Sequence, residues 1–146
     1  MTETPLRLLV IDDDPGHREI CRRFLEQQHV DKFDFLEADL AEDGLALCQA
    51  ESPDCILLDY RLPDLDGLEF LRTLKADNGG VPFPVIMMTG DGNETLAAEA
   101  IQAGAADYLP KRFLSSESLG RAVASAIEKH KLRTAVANAL RPTVVA

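Results

Sequence analysis

The sequence lacks the features that mark disulfide-rich proteins. It contains no tryptophan and only three cysteines. These cysteines (Cys21, Cys48 and Cys55) form no Cys-x-x-Cys pair, and their number is odd. A disulfide framework is therefore unsupported. Each cysteine sits among apolar neighbours, so we expect three reduced, buried thiols.

Long hydrophobic runs are also missing. No stretch approaches the roughly 20 apolar residues that a membrane span requires. The first residues, 1–5, show neither the basic nor the apolar region of a secretory leader. We therefore expect a cytoplasmic protein with no membrane partner.

Positive charge is scarce and unevenly distributed. The chain has 15 Lys and Arg residues against 25 Asp and Glu residues, a net charge of −10. Residues 111–146 carry +5, which leaves −15 on residues 1–110. An acidic body disfavours nucleic acid as a direct partner, because phosphate binding requires a basic surface.

Strand-like and helix-like patterns alternate along the 146 residues. This alternation predicts an α/β fold with a parallel sheet between two layers of helices. The predicted strands are 6–11, 33–38, 55–59, 83–88 and 106–109. The predicted helices begin near residue 15, cover 42–50, begin at 67, cover 94–103 and run from about 116 to 139. We predict one domain over residues 1–140, including an extended last helix, and a frayed tail at 141–146.

Polar side chains follow four of the predicted strands. Three acids (Asp12, Asp13 and Asp14) follow the first strand, and Asp59 ends the third. Thr89 and Lys111 follow the fourth and fifth. Since ligands bind at the carboxyl ends of strands in an open parallel sheet, we expect these groups to share one edge.

Three carboxylates at neighbouring strand ends repel one another unless a cation neutralises them. Mg²⁺, a hard ion that prefers oxygen ligands, fits such a cluster and can also hold a phosphoryl group. Asp59 is then a candidate nucleophile that forms an aspartyl-phosphate. The Thr89 hydroxyl and the Lys111 ammonium are candidate partners for phosphoryl oxygens.

Taken singly, each residue has an ordinary structural interpretation. An aspartate after a strand is most often a helix cap or turn residue. We assign that role to Asp14, Asp64 and Asp66. Alone, Thr89 is a cap, Lys111 a solvated lysine and Tyr108 a half-buried strand aromatic. Their occurrence together at strand ends favours a site.

Over residues 6–130 the sequence resembles the receiver domain of two-component response regulators. The segments that carry the resemblance are Asp12-Asp13, 59–67 (DYRLPDLDG), Thr89-Gly90 and 104–111 (GAADYLPK). The resemblance implies a flavodoxin-like sheet of order 2-1-3-4-5 with five helices. It also implies a stand-alone signalling module rather than an enzyme. Asp59 would accept a phosphoryl group from a histidine kinase or phosphotransfer protein, and the module would act on a downstream protein.

The resemblance also assigns the metal ligands. It implies that Asp13 and Asp59 bind Mg²⁺ directly, that Asp12 acts largely through water, and that the Arg61 backbone carbonyl adds a ligand. The side chains of Arg61 and Asp91 would control the approach of water to the phosphoryl group.

The family's switch maps onto Thr89 and Tyr108. The resemblance implies that Thr89 and Lys111 bind the phosphoryl oxygens. Thr89 would move toward that group and Tyr108 would turn inward, which alters the surface of helix 4, strand 5 and helix 5. One residue departs from the pattern: Arg112 stands where the family usually has a proline in a cis peptide. We therefore expect the loop after Lys111 to be built differently.

Two other functions remain open at this point. The Asp12-x-Asp14 spacing is that of haloacid dehalogenase-type phosphohydrolases, but Gly16 stands where that family expects Thr or Val. The second alternative is a degenerate receiver, which binds partners but accepts no phosphoryl group. The intact set of Asp12, Asp13, Asp59, Thr89 and Lys111 argues against it. Leu132, Val136 and Leu140 on the last helix further predict a homodimer through that helix.

Overall fold

Five parallel strands form the centre of the protein. Numbered along the chain, they lie in the order 2-1-3-4-5 across the sheet. The computed structural model describes residues 4–28, 32–90 and 93–140. This strand order is the flavodoxin-like order that the resemblance implied. The strands are β1 (Leu6–Ile11), β2 (Phe33–Ala38), β3 (Cys55–Asp59), β4 (Val85–Thr89) and β5 (Asp107–Pro110).

Helices cover both faces of this sheet. They are α1 (Pro15–Glu26), α2 (Ala41–Glu51), α3 (Gly67–Asn78), α4 (Glu94–Gln102) and α5 (Ser116–Leu140). Side chains alternate along each strand, so Leu9 and Ile11 pack with α2, α3 and α4. Leu8 and Val10 pack with α1 and α5 on the other face. Because both faces are covered, β1, β3 and β4 have nearly continuous apolar sequences.

Aspartates begin two of the helices, as the sequence predicted. The Asp14 carboxylate accepts a hydrogen bond from the Gly16 amide at the start of α1. Asp66 accepts one from the Glu69 amide at the start of α3. Such caps satisfy amides that have no partner within the helix.

Asp64 also caps a helix, but a distant one. Its two carboxylate oxygens accept hydrogen bonds from the amides of Ala41 and Glu42, each at 2.9 Å. The residue preceding α2, Leu40, has no side chain that can do this. Asp64 therefore ties the β3–α3 loop to the first turn of α2.

The apolar spacing also predicts that Ile20 faces the core from α1 and that Ala46 faces it at least partly from α2, and both predictions were wrong. Ile20 is 45% exposed, and Ala46 also lies at the surface. In α2 the inward position is Gly44, where an added Cβ would lie 2.4 Å from Cδ1 of Ile11. Helix α2 buries Ala41, Gly44 and Cys48 against the sheet, which leaves Ala46 on its outer side. The three cysteines are buried as expected, and burial raises the pKa of each thiol to about 12.

Helix α5 is 25 residues long and only its first half packs on the sheet. Leu119, Val123 and Ile127 are buried, whereas the side chains of residues 131–140 are all exposed. In the described part of the chain, no helix is long and apolar enough to cross a membrane. The predicted frayed tail, 141–146, lies outside the described residues.

Candidate functional site

The strand register brings the predicted site residues to one edge of the sheet. Ile11 pairs with Leu58, so Asp12 and Asp59 lie at equivalent heights on neighbouring strands. Thr89 ends β4 and pairs with Pro110, which precedes Lys111. The parallel order of the sheet therefore places all four side chains at its carboxyl edge.

Three carboxylates meet at this edge. Oxygen atoms of Asp12, Asp13 and Asp59 lie within 4.8 Å of one another. Asp12 is fully buried and Asp59 is 6% exposed, while Asp13 is open to solvent. An all-oxygen donor set with one solvent-facing side suits Mg²⁺, which usually retains several waters. The residues present therefore fit the implied ion.

Lys111 reaches into the cluster from β5. Its Nζ lies 3.0 Å from Oδ2 of Asp12 and 3.3 Å from Oδ1 of Asp59. One ammonium thus partly neutralises two buried carboxylates. Its own pKa is raised, because these two carboxylates outweigh the opposing effect of burial.

The two buried acids differ in charge environment. Burial alone would raise the pKa of Asp12, but hydrogen bonds from His17, the Asp14 amide and Lys111 outweigh it and the pKa is lowered. Burial and the negative charge of Asp12 raise the pKa of Asp59 despite the opposing effect of Lys111. Asp12 is therefore held as an anion by its partners, whereas the charge on Asp59 is poorly compensated.

Two residues around Asp12 were missed from the sequence. Nδ1 of His17 lies 2.7 Å from Oδ2 of Asp12. The Arg18 guanidinium donates to the Asp12 backbone carbonyl at 2.6 Å and also binds Glu37 on β2. Both belong to the start of α1, and their only sequence signal is that this helix follows the acid pair directly.

Thr89 ends β4, and Tyr108 lies on the neighbouring strand β5. Thr89 is 2% exposed, and the Tyr108 hydroxyl is buried. A polar groove of about 250 Å³ opens beside Thr89, between Arg61 and the start of α4. Arg61 itself pairs with Asp66 in a short antiparallel bridge. Asp91 lies outside the described residues.

The loop after Lys111 is built without a cis peptide. The described residues contain no cis peptide bond, and Lys111–Phe113 form one turn of 3₁₀-helix instead. The Arg112 guanidinium stacks over the Phe113 ring at 4.8 Å from its centroid. Lys111 nevertheless reaches both carboxylates, so the replacement of proline by Arg112 does not displace it.

Comparison with known proteins identifies the family. The family model of the response regulator receiver domain matches residues 8–124. The chain belongs to the response regulator receiver domain family. Asp14, the second acid of the dehalogenase-like spacing, caps α1 instead, which removes the support for that alternative.

Among curated relatives of this receiver domain is the response regulator MprA of Mycolicibacterium vanbaalenii, which is 38% identical over 120 residues. That match covers 80% of this chain and 48% of MprA. The MprA of Mycobacterium avium is 37% identical over 119 residues, 80% of this chain and 49% of the relative. The chain thus spans about half the length of the curated relatives that it matches.

Solved structures of other proteins share the fold. A response regulator receiver domain protein from Clostridium thermocellum is 29% identical with a TM-score of 0.74, over 87% of this chain and 98% of the other. NtrX from Brucella abortus is 28% identical with a TM-score of 0.79, over 98% of this chain and 32% of that protein. The chain is therefore a two-component signalling module by family.

Proposed function

We propose that this receiver domain accepts a phosphoryl group on Asp59 in a Mg²⁺-dependent reaction, with a histidine kinase or histidine phosphotransfer protein as donor. One observation carries the proposal: a buried carboxylate at a strand end, poorly compensated in charge, lies beside two further acids and one lysine. A buried acid whose pKa is raised by burial and by a neighbouring like charge is typical of functional sites.

In the proposed reaction, an Oδ atom of Asp59 attacks the phosphorus of a phosphohistidine. The new P–O bond forms as the P–N bond breaks, and the electron pair passes to the imidazole nitrogen. Asp13, Asp59 and the Arg61 carbonyl would hold Mg²⁺ directly, and Asp12 would hold it through water. When bound, the ion neutralises the carboxylates and the phosphoryl oxygens.

Lys111 and Thr89 then bind the phosphoryl oxygens. The Lys111 ammonium already lies 3.3 Å from Asp59, so a small movement transfers its charge to the new group. Thr89 lies at the end of the adjacent strand. Its movement toward the phosphoryl group alters the space beside Tyr108, which then turns inward. The surface of α4, β5 and α5 changes as a result, and a downstream effector reads that change.

A donor protein needs a docking surface around the site. Two large apolar side chains lie exposed on segments that follow strand ends: Ile20 on α1 is 45% exposed and Phe113 after β5 is 65% exposed. Both segments begin at the edge that holds Asp59. We assign them to the contact with the histidine-bearing partner.

Incubation with Mg²⁺ and acetyl phosphate, followed by intact-mass measurement, tests the proposal. We expect a single phosphoryl adduct in the wild type and in Asp14→Asn, and none in Asp59→Asn. Asp14 is the matched control because it is a nearby acid whose carboxylate caps α1. An adduct that persists in Asp59→Asn would contradict the assignment.

We further propose that the receiver self-associates through the second half of α5. Leu132, Val136 and Leu140 are 57%, 56% and 77% exposed. At about 100° per residue, the directions of these three side chains average roughly 110° from the face that α5 buries against the sheet, and range from about 70° for Leu140 to about 150° for Leu132. The domain's own core leaves all three exposed.

A second copy of this chain is the partner that the charges favour. Lys129, Lys131 and Arg133 flank the apolar side chains, whereas residues 1–110 carry −15. A second copy thus offers both an apolar face and opposite charge. Light scattering of the full chain and of a truncation after Lys131, with and without a phosphoryl mimic, tests this. Monomeric masses for both chains in both states would refute the dimer.

A further inference from the structure

Protein groups already occupy both oxygens of the Asp12 carboxylate. The Asp14 amide donates to Oδ1 at 2.9 Å. Lys111 donates to Oδ2 at 3.0 Å, and Nδ1 of His17 lies 2.7 Å from the same oxygen. Asp12 is therefore fixed by three groups from two parts of the chain, the start of α1 and the segment after β5.

The contact with His17 requires a proton on Nδ1. At 2.7 Å, an unprotonated ring nitrogen and a carboxylate oxygen would oppose two lone pairs. The other ring nitrogen, Nε2, is buried and has no hydrogen-bond partner among the described residues. Among the described residues, the imidazole ring therefore has two polar contacts. One is with Asp12, and the other is a long contact of 3.9 Å between Nδ1 and the Cys21 sulfur.

The buried Nε2 of His17 is unfavourable for the stability of the folded protein. The His17 side chain is only 12% exposed, and a buried polar atom without a partner destabilises the folded state. An apolar side chain of similar size would avoid that cost. The benefit of His17 must therefore come from its contact with Asp12.

The Lys111 ammonium contacts two carboxylates. In the structure it lies 3.0 Å from Asp12 and 3.3 Å from Asp59. In the proposed phosphorylated state it binds phosphoryl oxygens, which draws it away from Asp12. His17 is then the side-chain donor that remains on Oδ2.

We propose that His17 is a positioning residue that holds the Asp12 carboxylate in its metal-binding orientation, both before and after Lys111 turns to the phosphoryl group. The inference rests on the proposed Mg²⁺ site. The Asp14 amide fixes one carboxylate oxygen and His17 the other, which sets the carboxylate plane. The remaining lone pairs of Asp12 then face the ion and its waters. Hydrogen bonds to metal-binding groups of this kind typically change metal affinity by about 10–100-fold.

Mg²⁺ titration of His17 variants tests the proposal. We expect His17→Leu to bind Mg²⁺ about tenfold more weakly than the wild type. This is the low end of the range of about 10–100-fold, because the hydrogen bond from the Asp14 amide to Asp12 remains. His17→Asn should retain most of the affinity, because the asparagine Nδ2 lies where Nδ1 does and carries protons. His130→Leu, at a histidine on α5 far along the chain, is the matched control and should bind like the wild type. Unchanged affinity in His17→Leu, or equal losses in the leucine and asparagine variants, would overturn the proposal.

Two further measurements separate positioning from a purely structural role. Thermal unfolding without Mg²⁺ should show only a small difference between His17→Leu and the wild type, since the variant loses a donor to the buried Asp12 carboxylate but also loses the unpaired Nε2; a Tm lowered by more than roughly 5 °C would indicate a structural role instead. Nitrogen-15 NMR should place the imidazole proton of His17 on Nδ1, and Asp12→Ala should release that preference. A proton found only on Nε2 in the wild type would overturn the proposal, whether or not Mg²⁺ binding is detected. Absence of Mg²⁺ binding in the wild type would instead count against the proposed function.

Discussion

Removal of the Lys111 ammonium should destabilise the ion-free protein, and Mg²⁺ should compensate. Lys111→Met leaves two buried carboxylates facing each other, since the ammonium lies 3.0 Å from Asp12 and 3.3 Å from Asp59. Breaking a buried ion pair by removing one partner typically costs about 3–5 kcal/mol. Asp12 keeps its other donors, so we expect a loss of about 2–3 kcal/mol, or about 5–10 °C in Tm.

The assay is thermal unfolding of the wild type and of Lys111→Met, with and without Mg²⁺. A bound divalent ion replaces the lost positive charge, so the variant should gain more stability from Mg²⁺ than the wild type. At tenfold over its Kd, a ligand adds about 1.4 kcal/mol. Lys75→Met, which removes an exposed lysine from α3, is the control and should stay within about 0.5 kcal/mol of the wild type.

The pH dependence of this loss follows from the two carboxylates. Lys111 opposes the rise in the Asp59 pKa and contributes to the lowering of the Asp12 pKa. Without it, both carboxyl groups take up protons more readily in the folded state. The stability deficit of the variant should therefore be full at neutral pH and shrink as pH falls through these folded pKa values. A variant that is as stable as the wild type without Mg²⁺, or a deficit that Mg²⁺ does not reduce, would refute the reasoning.

Three further variants test other parts of the account. Asp13→Asn should nearly abolish Mg²⁺ binding and raise the stability of the ion-free protein, because a ligand and a like charge are both removed; calorimetric titration with unchanged affinity would contradict this. Arg61→Ala should change the decay rate of the aspartyl-phosphate more than its formation rate, since the long side chain borders the groove beside Thr89; equal decay with altered formation would count against it. Asp64→Ala should cost about 1 kcal/mol by exposing two α2 amides, and urea unfolding that shows no loss would disprove that cap.

The fold could be predicted because local and global signals agree. Apolar strands buried on both faces alternate with capped helices, and only a parallel sheet accommodates that order. Asp14 and Asp66 were assigned as caps or turn residues because a cap acts on amides two or three residues away. Asp64 was assigned to the same class, but its partners lie 22 and 23 residues earlier. No local pattern reports such a contact.

The predicted site residues were named from strand ends, and the structure brings Asp12, Asp13, Asp59 and Lys111 together. Which groups fix these residues could not be read from the sequence. His17 acts across the β1–α1 loop, and its role depends on the rotation of α1 against the sheet. The prediction that Ile20 is buried was wrong for the same reason. A small rotation of a helix decides whether a position beside its apolar stripe is buried.

The central claim is that Asp59 accepts a phosphoryl group with the help of Mg²⁺. Phosphoramidate, a small donor whose P–N bond resembles that of phosphohistidine, tests this directly when the protein is digested and the modified peptide is sequenced by mass spectrometry. We predict one phosphorylated residue, Asp59, formed in the presence of Mg²⁺ and not formed when the ion is chelated before the donor is added. Phosphorylation at another residue, or an equal yield at Asp59 after chelation, would contradict the account.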